Sequence, residues 1–203
     1  MKHTGPTIFI VDDDEAVRDS LRMLMKSVGY ATECFESAGD FLKAYDPDRA
    51  GCLVLDVRMP DMSGTELQAR LTGLHSMLPI VFITGHGDIE MAVHAMQAGA
   101  VDFIRKPFSD QALLDRIQQT VAQDLENREL LRKKSEIVMR IETLTPREKQ
   151  VMEKVTAGEP NKVIAMDLGV SERTIEIHRA RVMKKMKADS LPHLVRMVIK
   201  TQM

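Results

Sequence analysis

The sequence predicts an α/β fold, a five-stranded parallel sheet covered by helices, followed by a long connecting helix and a small all-α domain. Three observations carry that expectation. Short apolar runs alternate with longer amphipathic segments over the first 120 residues. Residues 110–143 contain no Gly or Pro and are rich in strong helix formers. After Thr145-Pro146 the strand-like runs disappear, and short amphipathic segments separated by Gly and Pro take over.

Taken in order, strands are predicted at 7–12 (TIFIVD), 31–35, 51–56, 79–84 (PIVFIT) and 101–104, with helices at 15–28, 37–45, 64–73, 88–98 and 110–125. Five βα repeats imply parallel strands with helices on both faces. The stretch 110–143 continues the last of these helices into a connector. Its apolar positions, Leu114, Ile117, Val121, Leu125, Leu131, Val138 and Ile141, drift instead of keeping a strict heptad. A coiled-coil seam and a solvated strut both fit that drift.

In the back domain, Thr145-Pro146 opens a helix with proline in its first turn, and Gly158 with Pro160 ends it. A short helix follows at 161–168, Gly169-Val170 turns the chain, and Ser171 caps a helix from Glu172 to about Met186. A last helix covers 190–201. Two helices joined by a tight Gly-containing turn, the second dense in Arg and Lys, describe a helix-turn-helix.

Composition narrows the class. The chain has 203 residues, 44% hydrophobic and 29% charged, as two small globular domains require. No apolar stretch approaches the roughly 20 residues of a membrane span, and no signal core opens the chain, so a cytoplasmic protein with no membrane partner is expected. Cys34 and Cys52, the only two cysteines, read as core residues. The net charge of −2 hides an asymmetry. Residues 1–120 hold 11 Lys/Arg against 18 Asp/Glu, and residues 144–203 hold 12 against 7, so a cation and a polyanion are the partners expected for the two halves.

In a parallel sheet the site lies beyond the carboxyl ends of the strands. The first strand ends in Asp12-Asp13-Asp14, the third in Asp56 and the fourth in Thr84, and the fifth leads to Lys106-Pro107. Carboxylates gathered at one edge call for a cation, and Mg²⁺ prefers hard oxygen ligands. Beside it and Lys106, Asp56 can attack phosphorus to give an acyl phosphate, with Thr84 as a hydrogen-bond donor to the new group. Asp14 is instead read as the cap of the first helix. Lys-Pro directly after a strand predicts a cis peptide bond that aims the lysine inward.

VDDDEAVR, LDVRMPDMSG, FITGHGD and GAVDFIRKPF together resemble the receiver domain of two-component response regulators, over residues 5–122. The resemblance implies a flavodoxin-like (βα)5 fold. It also implies Mg²⁺ held by Asp12, Asp13, Asp56 and the backbone carbonyl of Arg58, with Asp56 the phosphoacceptor, Thr84 and Lys106 on the phosphoryl group, and Phe103 as a switch aromatic. TGHGD at 84–88 is similar to the FixJ-like branch; His86 is read as a loop residue. The remaining histidines, among them His3, His75 and His94, show no metal-ligand spacing.

LTPREKQVM, NKVIA, VSERTIEIHRARVMKKM and SLPHLVRMVI resemble the LuxR-type (NarL-type) effector over residues 141–203. Here Thr174, Ile177, Arg181 and Lys184 or Lys185 share one helix face, and Ile175, Val182 and Met186 another. Lys162, Thr174, Arg179, Arg181, Lys184 and Lys185 are the candidate phosphate contacts, and Glu176 and Ile177 the candidate base readers. Ser171 and Arg173 complete the candidate DNA-binding set, since the resemblance places the recognition helix over Ser171–Met186. His178 is assigned to packing or a backbone hydrogen bond. Many relatives carry a basic residue at the position of Glu176.

The domains expected are a receiver over 1–122, a helical linker over 123–140 and a DNA-binding domain over 141–203. The function implied is a phosphorylation-dependent transcriptional activator of a two-component system, not an enzyme. Its implied partners are a sensor histidine kinase, an operator in double-stranded DNA, RNA polymerase, and a second copy of the chain on phosphorylation. Two rival readings differ in class. A haloacid-dehalogenase-like enzyme needs a second acid two residues after Asp56, where Arg58 stands. A receiver that has become a non-switching dimerisation module would leave Asp56 without a role.

Overall fold

The computed structural model of the chain describes residues 5–85, 93 and 95–202. The chain divides into two compact units, Met1–Arg128 and Glu129–Met203. In the first, strands β1 (Thr7–Val11), β2 (Ala31–Phe35), β3 (Gly51–Asp56), β4 (Ile80–Thr84) and β5 (Asp102–Arg105) form one sheet in the order β2-β1-β3-β4-β5. Every pairing is parallel. Helices α1 (Glu15–Ser27), α2 (Ala38–Ala44), α3 (Gly64–Gly73) and α4 (Asp110–Glu142) belong to the same alternation. The chain crosses from one side of β1 to the other between β2 and β3, so the crevice of such sheets opens at the carboxyl ends of β1 and β3.

Alternation along the strands divides the core into two layers. Phe9, Val11, Leu53, Leu55 and Phe82 pack on one face with Phe41 of α2 and Leu67 and Leu71 of α3. Ile8, Ile10, Cys52, Val54, Val81 and Ile83 pack on the other with Leu21 and Met25 of α1 and Leu113, Ile117 and Val121 of α4. All residues of β1, β3 and β4 are buried, which is why these segments read as unbroken apolar runs. Both cysteines are free, Cys52 inside the second layer.

Asp14 caps α1, accepting the backbone N–H groups of Ala16 and Val17. Ser63 and Glu66 form a reciprocal capping box on α3. The helix expected over 88–98 falls for the most part outside the described residues, as do His3, His86 and His94. Helix α4 is continuous for 33 residues. Leu114, Ile117 and Val121 are buried in the first unit, and Ile137 and Ile141 join a core in the second. Leu125, Leu131 and Val138 are exposed.

The second unit holds α5 (Pro146–Thr156), α6 (Asn161–Leu168), α7 (Glu172–Met186) and α8 (Leu191–Gln202). Thr145 and Glu148 form a capping box at the start of α5, with Pro146 in the first turn. Gly169, left-handed at φ 64°, ends α6, and Ser171 caps α7 by accepting the Thr174 N–H. Val151, Val155, Ile164, Ala165 and Ile175 make one small core. Met152, Val182, Met186, Leu194 and Met197 make another.

Candidate functional site

The carboxyl ends of β1 and β3 bring Asp12 and Asp56 together, and Lys106, from the turn after β5, lies between them. Its Nζ donates to Asp12 Oδ2 at 2.8 Å and to Asp56 Oδ1 at 3.0 Å. The three side chains come from positions 94 and 50 residues apart in the chain. The Lys106-Pro107 peptide bond is cis. Lys106 N–H also donates to the Thr84 carbonyl at 2.7 Å, which seats the turn against the end of β4.

Backbone donors fix each carboxylate. Asp14 N–H donates to Asp12 Oδ1 at 2.9 Å, and Arg58 N–H to Asp56 Oδ2 at 2.7 Å. Arg18 Nη1 donates to the Asp12 carbonyl at 2.7 Å. The close approach of α3 completes the frame: a Cβ on Gly64 would meet the Asp56 carbonyl oxygen at 2.2 Å and Phe82 at 3.0 Å. Gly64 N–H donates to the Val57 carbonyl, so this glycine holds the segment that carries Asp56.

The electrostatics follow from burial. Loss of solvent raises the Asp12 carboxyl above its ordinary value, and the Lys106 hydrogen bond opposes the shift without cancelling it. Burial works to lower the Lys106 ammonium, but its bonds to Asp12 and Asp56 outweigh that and hold it above its usual range. Two buried carboxylates with one cation leave excess negative charge, which a divalent cation would neutralise. Asp13 is exposed beside them. Among the described residues no group of three or more His, Cys, Asp or Glu side chains is gathered closely enough to hold a metal ion by itself. Thr84 is buried at the same sheet edge, and Phe103 is half-buried against the first core layer.

On the second unit, Lys162, Ser171, Arg173, Glu176, Ile177, Arg181 and Lys184 are exposed, and Thr174 is half-exposed at the entering end of α7. Ile175, Val182 and Met186 are buried on the opposite side of the helix. Two candidates are engaged within the unit. Arg179 Nη1 donates to Asn161 Oδ1 at 2.6 Å, tying α7 to the start of α6. Lys185 Nζ donates to Glu148 Oε2 at 2.6 Å and to the Thr143 carbonyl at 3.1 Å. His178 is half-buried and its Nδ1 has no hydrogen-bond partner among the described residues.

Some positions that hold the fold together carry no local signal in the sequence. Asp124 is buried within a charged helix and accepts the Gly51 N–H at 2.9 Å and Arg128 Nε at 2.9 Å. Arg128 Nη1 reaches the Pro47 carbonyl at 2.9 Å, so α4 is clasped to the start of β3. Glu148, which closes the capping box of α5, is buried against Lys185. Each depends on a partner distant in the chain.

Residues 8–118 match the response regulator receiver domain, and residues 142–198 match the bacterial regulatory proteins of the luxR family. The chain is 50% identical over 197 residues to the transcriptional regulatory protein FixJ of Rhizobium meliloti, covering 97% of this chain and 96% of that one. It is 47% identical over 194 residues to nodulation protein W of Bradyrhizobium diazoefficiens, covering 96% and 86%. Among solved structures, the response regulator StyR superposes with a TM-score of 0.91 at 47% identity, covering 97% of this chain and all of that one. Full-length FixJ from B. japonicum superposes with a TM-score of 0.61 at 44% identity, covering 98% of both. Receiver domains of this family generally bind Mg²⁺, and no helix of this chain is long and apolar enough to cross a membrane among the described residues. A receiver joined to a luxR-family DNA-binding domain, matched along nearly its whole length, places the chain among the FixJ-like response regulators, the transcriptional regulators of two-component systems.

Proposed function

We propose that Asp56 is the phosphoacceptor and that its phosphorylation turns on DNA binding by the second unit. The observation that supports this best is the convergence of Asp12, Asp56 and Lys106 at one sheet edge, with Lys106 within 3.0 Å of both carboxylates. An Asp56 carboxylate oxygen attacks the phosphorus of a sensor kinase's phosphohistidine, the P–N bond breaks, and the imidazole recovers a proton. In this reading Lys106 pairs with the transferred oxygens and Thr84 donates a hydrogen bond to them. Asp12, Asp13, Asp56 and the Arg58 carbonyl would hold Mg²⁺, which when bound neutralises charge on the phosphoryl group.

In this reading Thr84 and Phe103 relay the phosphorylation to the face around residues 88–104, where two copies pair. A homodimer then offers two recognition helices to a two-fold operator. Lys162, Thr174, Arg181 and Lys184 meet phosphates, while Glu176 and Ile177 read the base edges. The chain acts in the cytoplasm as an activator that recruits RNA polymerase. The test is the mass in solution by light scattering, with Mg²⁺ alone and then with beryllofluoride, a phosphoryl mimic. A shift from monomer to dimer that is absent in Asp56→Asn is expected. Equal operator affinity and reporter output in wild type and Asp56→Asn would instead support a receiver that no longer switches.

A further inference from the structure

Within the second unit a groove of about 320 Å³ runs between residues 133–140 of α4 and residues 193–200 of α8. Its floor is apolar, formed by Ile137 and Met197, both anchored in the unit's core. Its rim is cationic: Lys133 and Arg140 stand on the α4 side, and Arg196 and Lys200 on the α8 side. Among the described residues the one carboxylate that lines it is Glu136, and that group is already paired with Arg132 and Arg140. Lys133 is paired with Glu129 at 3.2 Å. Arg196 and Lys200 have no ion-pair or hydrogen-bond partner among the described residues. They lie one turn apart on the same helix face, where like charges repel.

An anion supplied from outside would relieve that repulsion. The groove's volume is that of a small-ligand site. Guanidinium groups bind phosphate through paired hydrogen bonds, and a methionine thioether packs well against an aromatic ring. The DNA-facing surface is elsewhere. On α7, Val182 and Met186 turn inward to the core shared with Met197 and Ile137, whereas Thr174, Ile177, Arg181 and Lys184 turn outward. At about 100° per residue the two faces lie about 140° apart around the helix, so a duplex on the outer face leaves this groove open.

We infer that the groove is a second binding site, for a nucleoside polyphosphate, with the phosphates on Arg196, Lys200 and Arg140 and the base over Met197. Bound there, the ligand bridges α4 and α8 and stabilises the second unit, which gives the regulator an input separate from Asp56. The experiment is calorimetric titration of the full chain with ATP in the absence of Mg²⁺, together with thermal unfolding. Saturable one-site binding and a raised Tm are expected, with affinity about tenfold weaker or lost in R196E/K200E and retained in R181E/K184E. R196Q/K200Q serves where charge reversal perturbs folding, which the circular dichroism melt of the unliganded variant reports. No saturable heat with wild type overturns the assignment. So does binding that survives R196E/K200E, or binding lost in R181E/K184E, which would assign the nucleotide to the DNA-facing surface.

Discussion

Lys185 is a candidate phosphate contact that the fold already engages with Glu148. From sequence it shares a helix face with Arg181, but in the fold its ammonium sits 2.6 Å from Glu148, whose side chain is 3% exposed. Lys185→Ala removes a charge-assisted hydrogen bond and leaves that carboxylate with only the Thr145 N–H, at 2.9 Å, and the Thr145 hydroxyl region of its capping box. Breaking a buried pair costs 3–5 kcal/mol, and because Lys185 is itself 35% exposed the cost here is discounted to about 2 kcal/mol. For a unit of this size that lowers Tm on the order of 10 °C. The pH dependence has a defined sign. The Lys185 hydrogen bond, with the Thr145 N–H, holds the Glu148 carboxyl below its ordinary value. Its stabilisation is therefore present above the unfolded-state pKa, near 4.3, and is lost as pH falls through the folded value, so the gap between wild type and Lys185→Ala closes in acid. The assay is thermal unfolding from pH 3 to 7, paired with operator binding across a salt series. Lys184→Ala, by contrast, keeps Tm and lowers the salt slope of binding by about 0.9. An unchanged Tm in Lys185→Ala together with a slope lowered by that amount would refute the reasoning and return Lys185 to the DNA face.

The remaining expectations concern the first unit. Lys106→Met keeps the aliphatic stem and removes the cation between two buried carboxylates. With Lys106 24% exposed, the loss is about 2–3 kcal/mol, and added Mg²⁺ recovers part of it in a thermal melt. Gly64→Ala drives a Cβ into the Asp56 carbonyl; it costs about 1–3 kcal/mol in urea unfolding and slows beryllofluoride binding, whereas a wild-type response would show that α3 can withdraw. Asp124→Ala strips the Gly51 N–H and Arg128 of their buried acceptor and costs about 3–5 kcal/mol; a urea midpoint within error of wild type would refute the clasp between α4 and β3.

The βα alternation was legible because strands buried on both faces read as short apolar runs, and their ends as the places where polarity returns. Strand bounds predicted at 79–84 and 101–104 fall at Ile80–Thr84 and Asp102–Arg105, a shift of one residue. The caps at Asp14 and Ser171 were legible for a similar reason, since a cap satisfies backbone donors within three residues of itself. Asp12, Asp56 and Lys106 could be picked out as strand-end residues, because the sheet rule converts position along a strand into position in space. The linker was harder. A Gly-free and Pro-free sequence determined a continuous helix, yet the drift of its apolar positions left open which of them pack; the fold buries Ile117 and Val121 in one unit and Ile137 in the other, and leaves Leu131 exposed.

What the sequence by itself determined was therefore whatever is set by neighbours within a turn or a strand: element type, caps, and the polarity of each strand end. Only the tertiary structure decided that Lys185 pairs with Glu148, that Asp124 is buried beneath Gly51, and that Gly64 must be small. In each case the partner lies tens of residues away or, for Gly64, on the strand that packs beneath it. A charge on a helix surface carries no local mark of which distant group will face it, because that depends on how the elements pack and not on the spacing within any one of them.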